Sequence, residues 1–374
     1  MVRIGIIGMG NMGRGHADYL MKNKVENCTL TAICDLVCPS DPIYKNLKFF
    51  YDYKDMIDSG DVDAVIVATP HYAHTYIGIY AMEHGVHLIS EKPISVHKKD
   101  CQRLIEAHKD TVFSAMFNQR TRPVYQKMKE LIPSLGKIQR MTCICTGWFR
   151  TQAYYNSSSW RATWKGEGGG VLLNQCPHQL DIIQWLIGMP DSVFANVSLG
   201  KYHNIEVEDE VSALWTYENG AIGAFVGSTG EYPGNESLEI SGERGKIVFE
   251  GNRLKIWQNE ESALDYIRIH NEKPLKEAKA KTSANYMTVP KTEYKEIVFE
   301  ESENFLCQHE AITQNFVNAI EYGEKLISPG EEGIKSVEIA NAMIMSGLTG
   351  RKISLPMDAN EYERLLESLK EKNR

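Results

Sequence analysis

The chain has 374 residues and a mass of 42.3 kDa, which exceeds one ordinary hydrophobic core and is typical of two packed domains. It is 43% hydrophobic and 24% charged, the balance of a water-soluble folded protein, and no stretch is apolar for long enough to predict a membrane span. The net charge of −8 argues against binding to nucleic-acid phosphates. We therefore expect neither nucleic acid nor a membrane as a partner.

The N-terminus and the cysteines both bear on the compartment. The first residues lead directly into strand and glycine-turn patterns, without the charged, apolar and small-residue regions of a secretory signal. Eight cysteines are scattered along the chain with no CxxC pair, which is typical of reduced thiols that pack as small hydrophobic side chains. These patterns predict a cytoplasmic protein.

Strand and helix patterns alternate over the first third of the chain. The strand RIGIIG is followed by a glycine turn and a helical pattern. Four further apolar runs lie within the segments CTLTAICD, VDAVIVATP, VHLISEKP and TVFSAMFNQR. These runs are continuous rather than alternating, as in strands that are buried on both faces. We predict a parallel sheet over residues 1–122, with helices on both faces.

The pattern changes over residues 123–374. Strand-like pieces such as GKIQRMTCICTGWF and EVSALWTYENGAIGAFVGS are joined by turn signals, which predicts a mainly antiparallel sheet with helices on one face. Helical patterns follow at about 305–323 and 330–348. The last 18 residues form a charged, weakly amphipathic helix, which we expect to be solvated, with a contact between subunits as the alternative.

The first glycine turn predicts a dinucleotide site. It has the spacing GxGxxG between a strand and a helix, where backbone amides can approach a pyrophosphate at a helix N-terminus. Asp35 ends the second strand, near the ~20-residue offset of the carboxylate that binds the adenosine ribose. No Arg or Lys follows it directly, so NAD is preferred over NADP; the alternative is a glycine turn without a ligand. The loop positions expected at the cofactor are Gly8, Gly10, Asn11, Met12 and Gly13.

Two further strand ends should border the nicotinamide, because ligands of open α/β sheets lie beyond the carboxyl ends of the strands. Lys92 is the strongest candidate there, since a cation beside the oxygen of a secondary alcohol lowers the pKa of that hydroxyl. The alternative is a rim lysine paired with Glu91 or with a cofactor phosphate. The residues expected along this edge are Thr69, Pro70, His71, His74, Glu91 and Lys92.

Several motifs together resemble the Gfo/Idh/MocA oxidoreductases, the family of glucose-fructose oxidoreductase and inositol dehydrogenase. They are GIIGMGNMGRGH, VATPHYAH, SEKPIS, WRATWKGEGGGVLLNQCPHQLDIIQWLIG and the closing ISLP. The resemblance implies an N-terminal Rossmann domain, a C-terminal α/β domain whose open antiparallel sheet serves oligomerisation, and NAD(P)-dependent oxidation or reduction of sugars and cyclitols. It implies a homodimer or homotetramer. By position, Lys92 matches the lysine of the Glu-Lys-Pro motif and His178 the histidine of the second motif.

The sequence departs from the family pattern at Asn174, where many inositol dehydrogenase-like members have an aspartate. An amide cannot accept a proton as a base. A helix that starts near Asn174 would place Asn174, His178 and Asp181 on one face, with His178 near the positive end of the helix dipole. We predict that His178 is the general base, that Asp181 and Asn174 orient it, and that the glycines at 168–170 give clearance to a ligand and to the helix start. The alternative for His178 is a hydrogen-bonding residue at a helix end.

Other side chains are weaker candidates. Arg120 and Arg122 follow a strand and are candidates for substrate contact or for structural support, and the aromatic loop before the glycines suits stacking on a sugar ring or filling a hydrophobic gap. The histidine pairs His71/His74 and His84/His87 lack supporting ligands, so we expect no metal. Candidate substrate contacts are Lys92, Arg120, Tyr154, Tyr155, Asn174 and His178, and additional cofactor contacts are Asn118, Trp160 and Arg161.

The combined pattern predicts an NAD-dependent dehydrogenase or reductase that acts on a secondary hydroxyl of a sugar, a sugar derivative or inositol. Its partner would be a small polyol or sugar. Two alternatives are a redox step in glycoside processing through a 3-keto sugar, and a non-catalytic NAD-sensing regulator of the same fold.

Overall fold

The computed structural model describes residues 1–271, 289–300 and 306–372. Its first sheet has six parallel strands in the order β3-β2-β1-β4-β5-β6. This is the strand order of a dinucleotide-binding fold, so the predicted Rossmann architecture is confirmed. The strands are β1 (Val2–Ile7), β2 (Cys28–Cys34), β3 (Lys48–Phe50), β4 (Ala64–Val67), β5 (His87–Ser90) and β6 (Phe113–Ala115).

Helices connect these strands and cover the sheet, since a parallel pair needs a crossover connection. All four residues of β4 are buried, as expected of a strand covered on both faces. The helices are α1 (Asn11–Met21), α2 (Tyr53–Asp58), α3 (His71–Glu83), α4 (Lys98–Ala107) and α5 (Pro123–Leu131), and short 3₁₀ turns include Asn118–Thr121.

The second sheet has nine strands in the order β14-β13-β12-β11-β7-β10-β9-β8-β15. Only β7 and β10 pair in parallel, so the predicted mainly antiparallel sheet is confirmed. The strands are β7 (Ile138–Cys145), β8 (Ser192–Leu199), β9 (Glu208–Thr216), β10 (Ile222–Ser228), β11 (Glu236–Gly242), β12 (Gly245–Glu250), β13 (Arg253–Asn259), β14 (Thr292–Val298) and β15 (Ile353–Ser354).

Helices pack on one face of this sheet and share its hydrophobic core. The opposite face exposes apolar side chains of β8 and β9, with Phe194 paired to Leu214 across the two strands. The remaining helices are α6 (Gln152–Tyr155), α7 (Val171–Asn174), α8 (Pro177–Ile187), α9 (Ala263–Asn271), α10 (Cys307–Tyr322), α11 (Gly333–Thr349) and α12 (Ala359–Lys372). No helix in these described ranges is long and apolar enough to cross a membrane.

The chain returns to the first sheet after the second one is complete. Helix α10 buries Ile312, Phe316 and Val317 in the same cluster as Ile4 and Ile6 of β1. The division between domains at residues 122 and 123 stays a prediction, and part of the chain beyond 123 packs on the first sheet. The predicted helix at about 305–323 begins at Cys307, and residue 305 lies outside the described residues.

The last helix differs from the solvated helix that we expected. Tyr362 and Leu366 of α12 are fully buried, and Glu363 binds Lys99 of α4 at 2.6 Å. These two apolar residues lie four positions apart and therefore share one helix face, which packs onto the chain's own core. The final two residues, 373–374, lie outside the described residues.

Candidate active site

The glycine loop has the geometry that a pyrophosphate site requires. Gly8 has φ +96°, a left-handed conformation, and a Cβ there would lie 2.7 Å from the carbonyl oxygen of Ala68. A Cβ on Gly13 would lie 1.8 Å from the carbonyl oxygen of Gly8. By contrast, a Cβ on Gly10 would have no neighbour within 4 Å, so the space beside it is open. The loop thus needs two glycines for its own packing, while Gly10 leaves room for a ligand at the start of α1.

Asp35 lies directly beside this loop. It follows the last residue of β2, and its Oδ2 accepts a hydrogen bond from the backbone amide of Met9 at 2.6 Å. Its Oδ1 accepts a weaker bond from the amide of Val37 at 3.3 Å. The carboxylate therefore sits at the carboxyl end of β2, where it can reach ribose hydroxyls.

His74 joins the two strand ends that were predicted to border the nicotinamide. Its ring nitrogens lie 2.7 Å from the carbonyl oxygen of Thr69 and 2.8 Å from that of Pro93. Both nitrogens are occupied and the residue is buried, so His74 holds the turns in place rather than reaching a ligand. His71 is engaged too, through Nδ1 and the carbonyl oxygen of Glu167 at 3.1 Å.

Lys92 lies at the carboxyl end of β5 and reaches across to the second domain. Its ammonium donates a hydrogen bond to the carbonyl oxygen of Asn174 at 2.9 Å. Burial lowers the pKa of Lys92, and the negative charges of Glu91 and Glu167 oppose that shift. A half-buried lysine with one backbone partner retains donors for a substrate oxygen.

His178 lies four residues after Asn174, the residue that binds Lys92. Its Nδ1 is buried and has no hydrogen-bond partner among the described residues. Burial, followed by the positive charge of Lys92, holds the pKa of His178 well below its usual value near 6.5. The imidazole is therefore neutral at pH 7 and able to accept a proton.

The helix that carries His178 begins later than predicted, and the expected shared face does not form. Asn174 ends the short helix α7, and α8 begins at Pro177 after two intervening residues. Pro177 occupies the first turn of α8, where its missing amide hydrogen costs nothing. Asn174 is consequently on a different helix from His178 and Asp181.

The expectation that Asp181 orients His178 is corrected by the structure. The two carboxylate oxygens of Asp181 accept hydrogen bonds from Arg120, Nε at 2.8 Å and Nη2 at 2.6 Å, and Gln184 binds one of them at 2.9 Å. Both members of the ion pair are 1% exposed. A buried carboxylate requires such a charged partner, so Arg120 saturates it before an imidazole can.

Arg120 was predicted to touch substrate, and this expectation is corrected by the same contacts. Besides Asp181, its guanidinium donates to the carbonyl oxygen of Ile327 at 3.2 Å and to the carboxylate of Glu332 at 2.5 Å. Arg122 lies over the rings of Tyr125 and Phe249. Both arginines thus have structural partners.

Asn174 does not orient His178 either, because its side chain binds the carboxylate of Glu167. Its amide nitrogen donates to Oε1 of Glu167, while Oε2 of Glu167 accepts from the backbone amide of Ala162 at 2.6 Å. Glu167 is buried, and burial raises its pKa against the effect of these hydrogen bonds and of the charges of Arg161 and Lys92. Sequence reasoning passed over Glu167, which lies immediately before the three glycines.

A second residue that sequence reasoning missed is His16, on α1. Its Nε2 lies 2.8 Å from Oε1 of Glu91, and its Nδ1 lies 2.6 Å from the hydroxyl of Tyr19. Burial acts to raise the pKa of Glu91, but the hydrogen bond from His16 and nearby positive charges lower it to about 2. Glu91 is therefore a buried support for the Lys92 strand end rather than a cofactor contact. Its position next to Lys92 was visible in the sequence, but its partner on α1 was not.

Several buried polar atoms have no hydrogen-bond partner among the described residues. Asn118 is buried, and its amide nitrogen lies 3.2 Å from Gln308 while its Oδ1 has no partner among the described residues. Buried polar atoms without partners are costly in a folded protein unless a ligand satisfies them. The atoms of this kind near the strand ends are Thr69 Oγ1, Asn118 Oδ1, Gln175 Oε1 and His178 Nδ1.

The two tyrosines of the aromatic loop differ in burial: Tyr154 is half-buried and Tyr155 is buried. Tyr154 is half-buried, and its hydroxyl accepts a hydrogen bond from Arg161 at 2.8 Å, whose guanidinium also lies 4.7 Å from the ring of Trp160. Tyr155 was predicted to contact substrate, but it is buried in the core with its hydroxyl 2.8 Å from that of Thr229. This corrects the prediction for Tyr155, since adjacent residues of a short helix point in different directions.

The three glycines give clearance to the protein itself, which corrects part of our interpretation. A Cβ on Gly168 would lie 2.0 Å from Val96, and one on Gly170 would lie 1.9 Å from the carbonyl oxygen of Glu208 on β9. The loop can therefore pack against the first domain and the second sheet at once.

In the part of the chain that the structure describes, no three metal-binding side chains come together.

Comparison with known proteins agrees with this geometry. A family model described as "Oxidoreductase family, NAD-binding Rossmann fold" matches residues 2–117, and one described as "GFO/IDH/MocA C-terminal domain" matches residues 125–248. The chain belongs to the Gfo/Idh/MocA family of NAD-binding oxidoreductases. The resemblance that its motifs carry is thus confirmed.

Individual relatives are distant. A levoglucosan dehydrogenase of Pseudarthrobacter phenanthrenivorans is 28% identical over 230 residues, which is 54% of this chain and 59% of that protein. The chain thus matches less than two thirds of that relative's length. A myo-inositol 2-dehydrogenase of Thermotoga maritima is 27% identical over 67% of this chain and 76% of its own length. The structure of the WlbA dehydrogenase from Bordetella pertussis, in complex with NADH and UDP-GlcNAcA, superimposes with a TM-score of 0.77 at 25% identity, covering 96% of this chain and 99% of that one.

Proposed function

We propose that this protein is an NAD-dependent dehydrogenase that transfers hydride between the nicotinamide and a secondary hydroxyl, or the matching ketone, of a sugar, a sugar derivative or inositol. The observation that carries the proposal is that the Lys92 ammonium binds the carbonyl oxygen of Asn174, four residues before His178, and that its charge acts on the His178 ring. Relatives named for levoglucosan and inositol oxidation support the substrate class.

The glycine loop and the strand ends fit NAD. The open side of Gly10 and the start of α1 would hold the pyrophosphate, and Asp35 would bind the adenosine ribose and repel a 2′-phosphate. The unpartnered atoms of Thr69 and Asn118 would receive polar groups near the nicotinamide. Other proposed contacts are Gly8, Asn11, Met12, Gly13, Pro70, His71, Trp160 and Arg161.

Lys92 and His178 would have different roles in the oxidation, hydrogen bonding and proton transfer. When bound, NAD accepts the hydride that leaves the carbinol carbon. The Lys92 ammonium would donate a hydrogen bond to the substrate oxygen and lower the pKa of that hydroxyl. The neutral ring of His178 would accept the hydroxyl proton as the C–H bond breaks, and it would return that proton in the reverse reaction. Tyr154 and Asn174 would contact the substrate ring.

Two further proposals concern assembly and location. The exposed apolar side chains on β8 and β9 support a homodimer or homotetramer formed through the open face of the second sheet. The eight cysteines are all free thiols, which supports a reducing compartment such as the cytoplasm.

The activity is tested with purified protein, NAD and a panel of polyols and sugars that includes myo-inositol, levoglucosan and UDP-N-acetylglucosaminuronic acid, followed by NADH absorbance. We expect turnover of at least one compound, and Lys92→Met and His178→Gln should each lower kcat by about 100-fold or more.

Lys22→Met and His84→Gln are matched controls, since both residues are exposed and lie outside the site. Their kcat should equal that of the wild type. Tight NAD binding without turnover of any compound would favour the regulator alternative, and a wild-type rate for His178→Gln would refute the assigned role.

A further inference from the structure

Glu167 is a buried carboxylate whose charge acts on the proposed catalytic lysine, and three groups hold its side chain. It is 1% exposed, it accepts hydrogen bonds from the Asn174 amide and the Ala162 backbone, and Arg161 lies 3.9 Å from it. The backbone carbonyl of the same Asn174 accepts the hydrogen bond from Lys92. One residue thus links the carboxylate to the ammonium.

The other carboxylate beside Lys92 is already in use. Glu91 directs Oε1 at His16, and its Oε2 accepts from the backbone amide of Lys92 at 3.2 Å rather than from its ammonium. Both Glu91 and Glu167 act electrostatically on the ammonium. A cation that is partly withdrawn from water needs a counter-charge, and the charge of Glu167 acts on Lys92 from the second domain.

We propose that Glu167 is a positioning residue that supplies the counter-charge of Lys92 and, by binding the side chain of Asn174, fixes the carbonyl group that receives the Lys92 ammonium. The proposal deepens the proposed function and rests on the role that it gives to Lys92. It also gives a meaning to the amide at position 174, because a carboxylate there would stand directly against Glu167, and two adjacent buried carboxylates repel each other.

Several other charged or titratable groups surround this pair and are common to all variants of the test. Besides Glu167, the groups whose charges shift the pKa of Lys92 are Glu91, Arg161 and Cys176. The charge of Lys92 in turn shifts the pKa values of His71, His74, His178 and His309. The charge of Glu167 shifts the pKa values of Glu208 and Tyr155, among others.

The test measures the protonation of Lys92 directly, in the protein without substrate or NAD. Competitive labelling with acetic anhydride from pH 6 to 11, read by peptide mass spectrometry, follows the neutral amine. The charge of Glu167 favours the ammonium, so Glu167→Gln should move the labelling curve of Lys92 to lower pH. At a fixed pH on the rising part of the curve, labelling should increase about threefold or more.

Returning the charge should reverse this shift. In the double variant Glu167→Gln with Asn174→Asp, the amide and the carboxylate exchange places, and the labelling curve should return to that of the wild type. Glu206→Gln is the matched control: Glu206 accepts a hydrogen bond from the Trp164 amide of the same loop at 3.2 Å and not from the side chain of Asn174.

An unchanged curve in Glu167→Gln would overturn the proposal, and so would an equal shift in Glu206→Gln or a double variant that labels like the single one. If Glu167→Gln does not fold, Glu167→Met replaces it as the variant without charge: a curve at lower pH supports the proposal, and an unchanged curve overturns it. Because no turnover is measured, failure of the proposed dehydrogenase activity would be seen separately.

Discussion

The residues that carry the proposed chemistry differ from their supports in how visible they are in the sequence. Lys92 and His178 were predicted from the chemistry of alcohol oxidation and from motif positions, and in the structure the charge of Lys92 acts on the His178 ring. Their partners were not predicted correctly. Asp181 was expected beside His178, but it binds Arg120 from another part of the chain. Spacing along a helix does not reveal a partner 61 residues away, which competes for the same carboxylate.

The lowered pKa of His178 predicts the pH dependence of oxidation. The buried ring stays neutral at pH 7, and it gains a proton only as the pH falls through its lowered pKa. kcat/KM for a polyol should therefore remain level from pH 8 to about 6.5 and decline only at lower pH. Steady-state rates across this range test the prediction, and a decline that begins above pH 7 would contradict it. His84 is exposed, and His84→Gln should leave the pH profile of kcat/KM unchanged.

The buried pair of Arg120 and Asp181 predicts a loss of stability rather than a loss of substrate binding. Arg120→Met leaves the Asp181 carboxylate without its cation and should lower the free energy of unfolding by about 3–5 kcal/mol. Adding Asp181→Leu removes the stranded charge and should restore part of that loss. Urea denaturation measures both variants. A variant Arg120→Met with wild-type stability and a raised KM would instead support the substrate role that the sequence suggested.

At the scale of elements, the glycine turn was predicted accurately because it is a local feature. The strand, the glycine spacing and the helix follow one another within β1 and α1, so no distant contact is needed to specify them. The start of α8 was predicted less well. The helix predicted to start near Asn174 starts instead at Pro177, because Asn174 is the last residue of the separate short helix α7.

Two glycines of the first loop have different predicted roles, Gly10 in cofactor binding and Gly13 in folding. Gly10 has φ −72°, which alanine adopts, and its Cβ would be free of protein contacts. Gly10→Ala should therefore keep the melting temperature of the protein without NAD but weaken NAD binding about tenfold or more. Gly13→Ala places a methyl group against a backbone oxygen and should destabilise the protein by about 3 kcal/mol or more. Calorimetric melting and NAD titration distinguish the two, and equal melting temperatures for both variants would refute this division.

The whole molecule shows how the two domains become interdependent. Helix α10 returns to the first sheet, and the last helix packs its buried Tyr362 on the core of the second. Lys92 lies on one domain, while its hydrogen-bond acceptor Asn174 lies on the other. The proposed active site therefore exists only when both domains are folded and packed together.

The open sheet face predicts an assembly that one substitution can weaken. Leu214 on β9 is 63% exposed and lies opposite Phe194 on β8, so it stands within an apolar patch. Leu214→Glu should place a charge in the proposed subunit contact and reduce the mass measured by light scattering to that of a smaller species. Ile43→Glu is the control, because Ile43 is 52% exposed in the first domain and away from this face. An unchanged oligomer in Leu214→Glu would contradict an assembly through this surface.

The sequence by itself determined the class of the fold, the family and the two residues proposed for the chemistry. Those features depend on local patterns: buried apolar runs, glycine spacing, and short motifs at strand ends. Only the tertiary structure determined that Arg120 holds Asp181, that His16 holds Glu91, and that Glu167 stands behind Asn174 and Lys92. The reason is physical: a buried charge binds whichever opposite charge or donor the fold brings within reach, and that partner comes from a distant part of the chain.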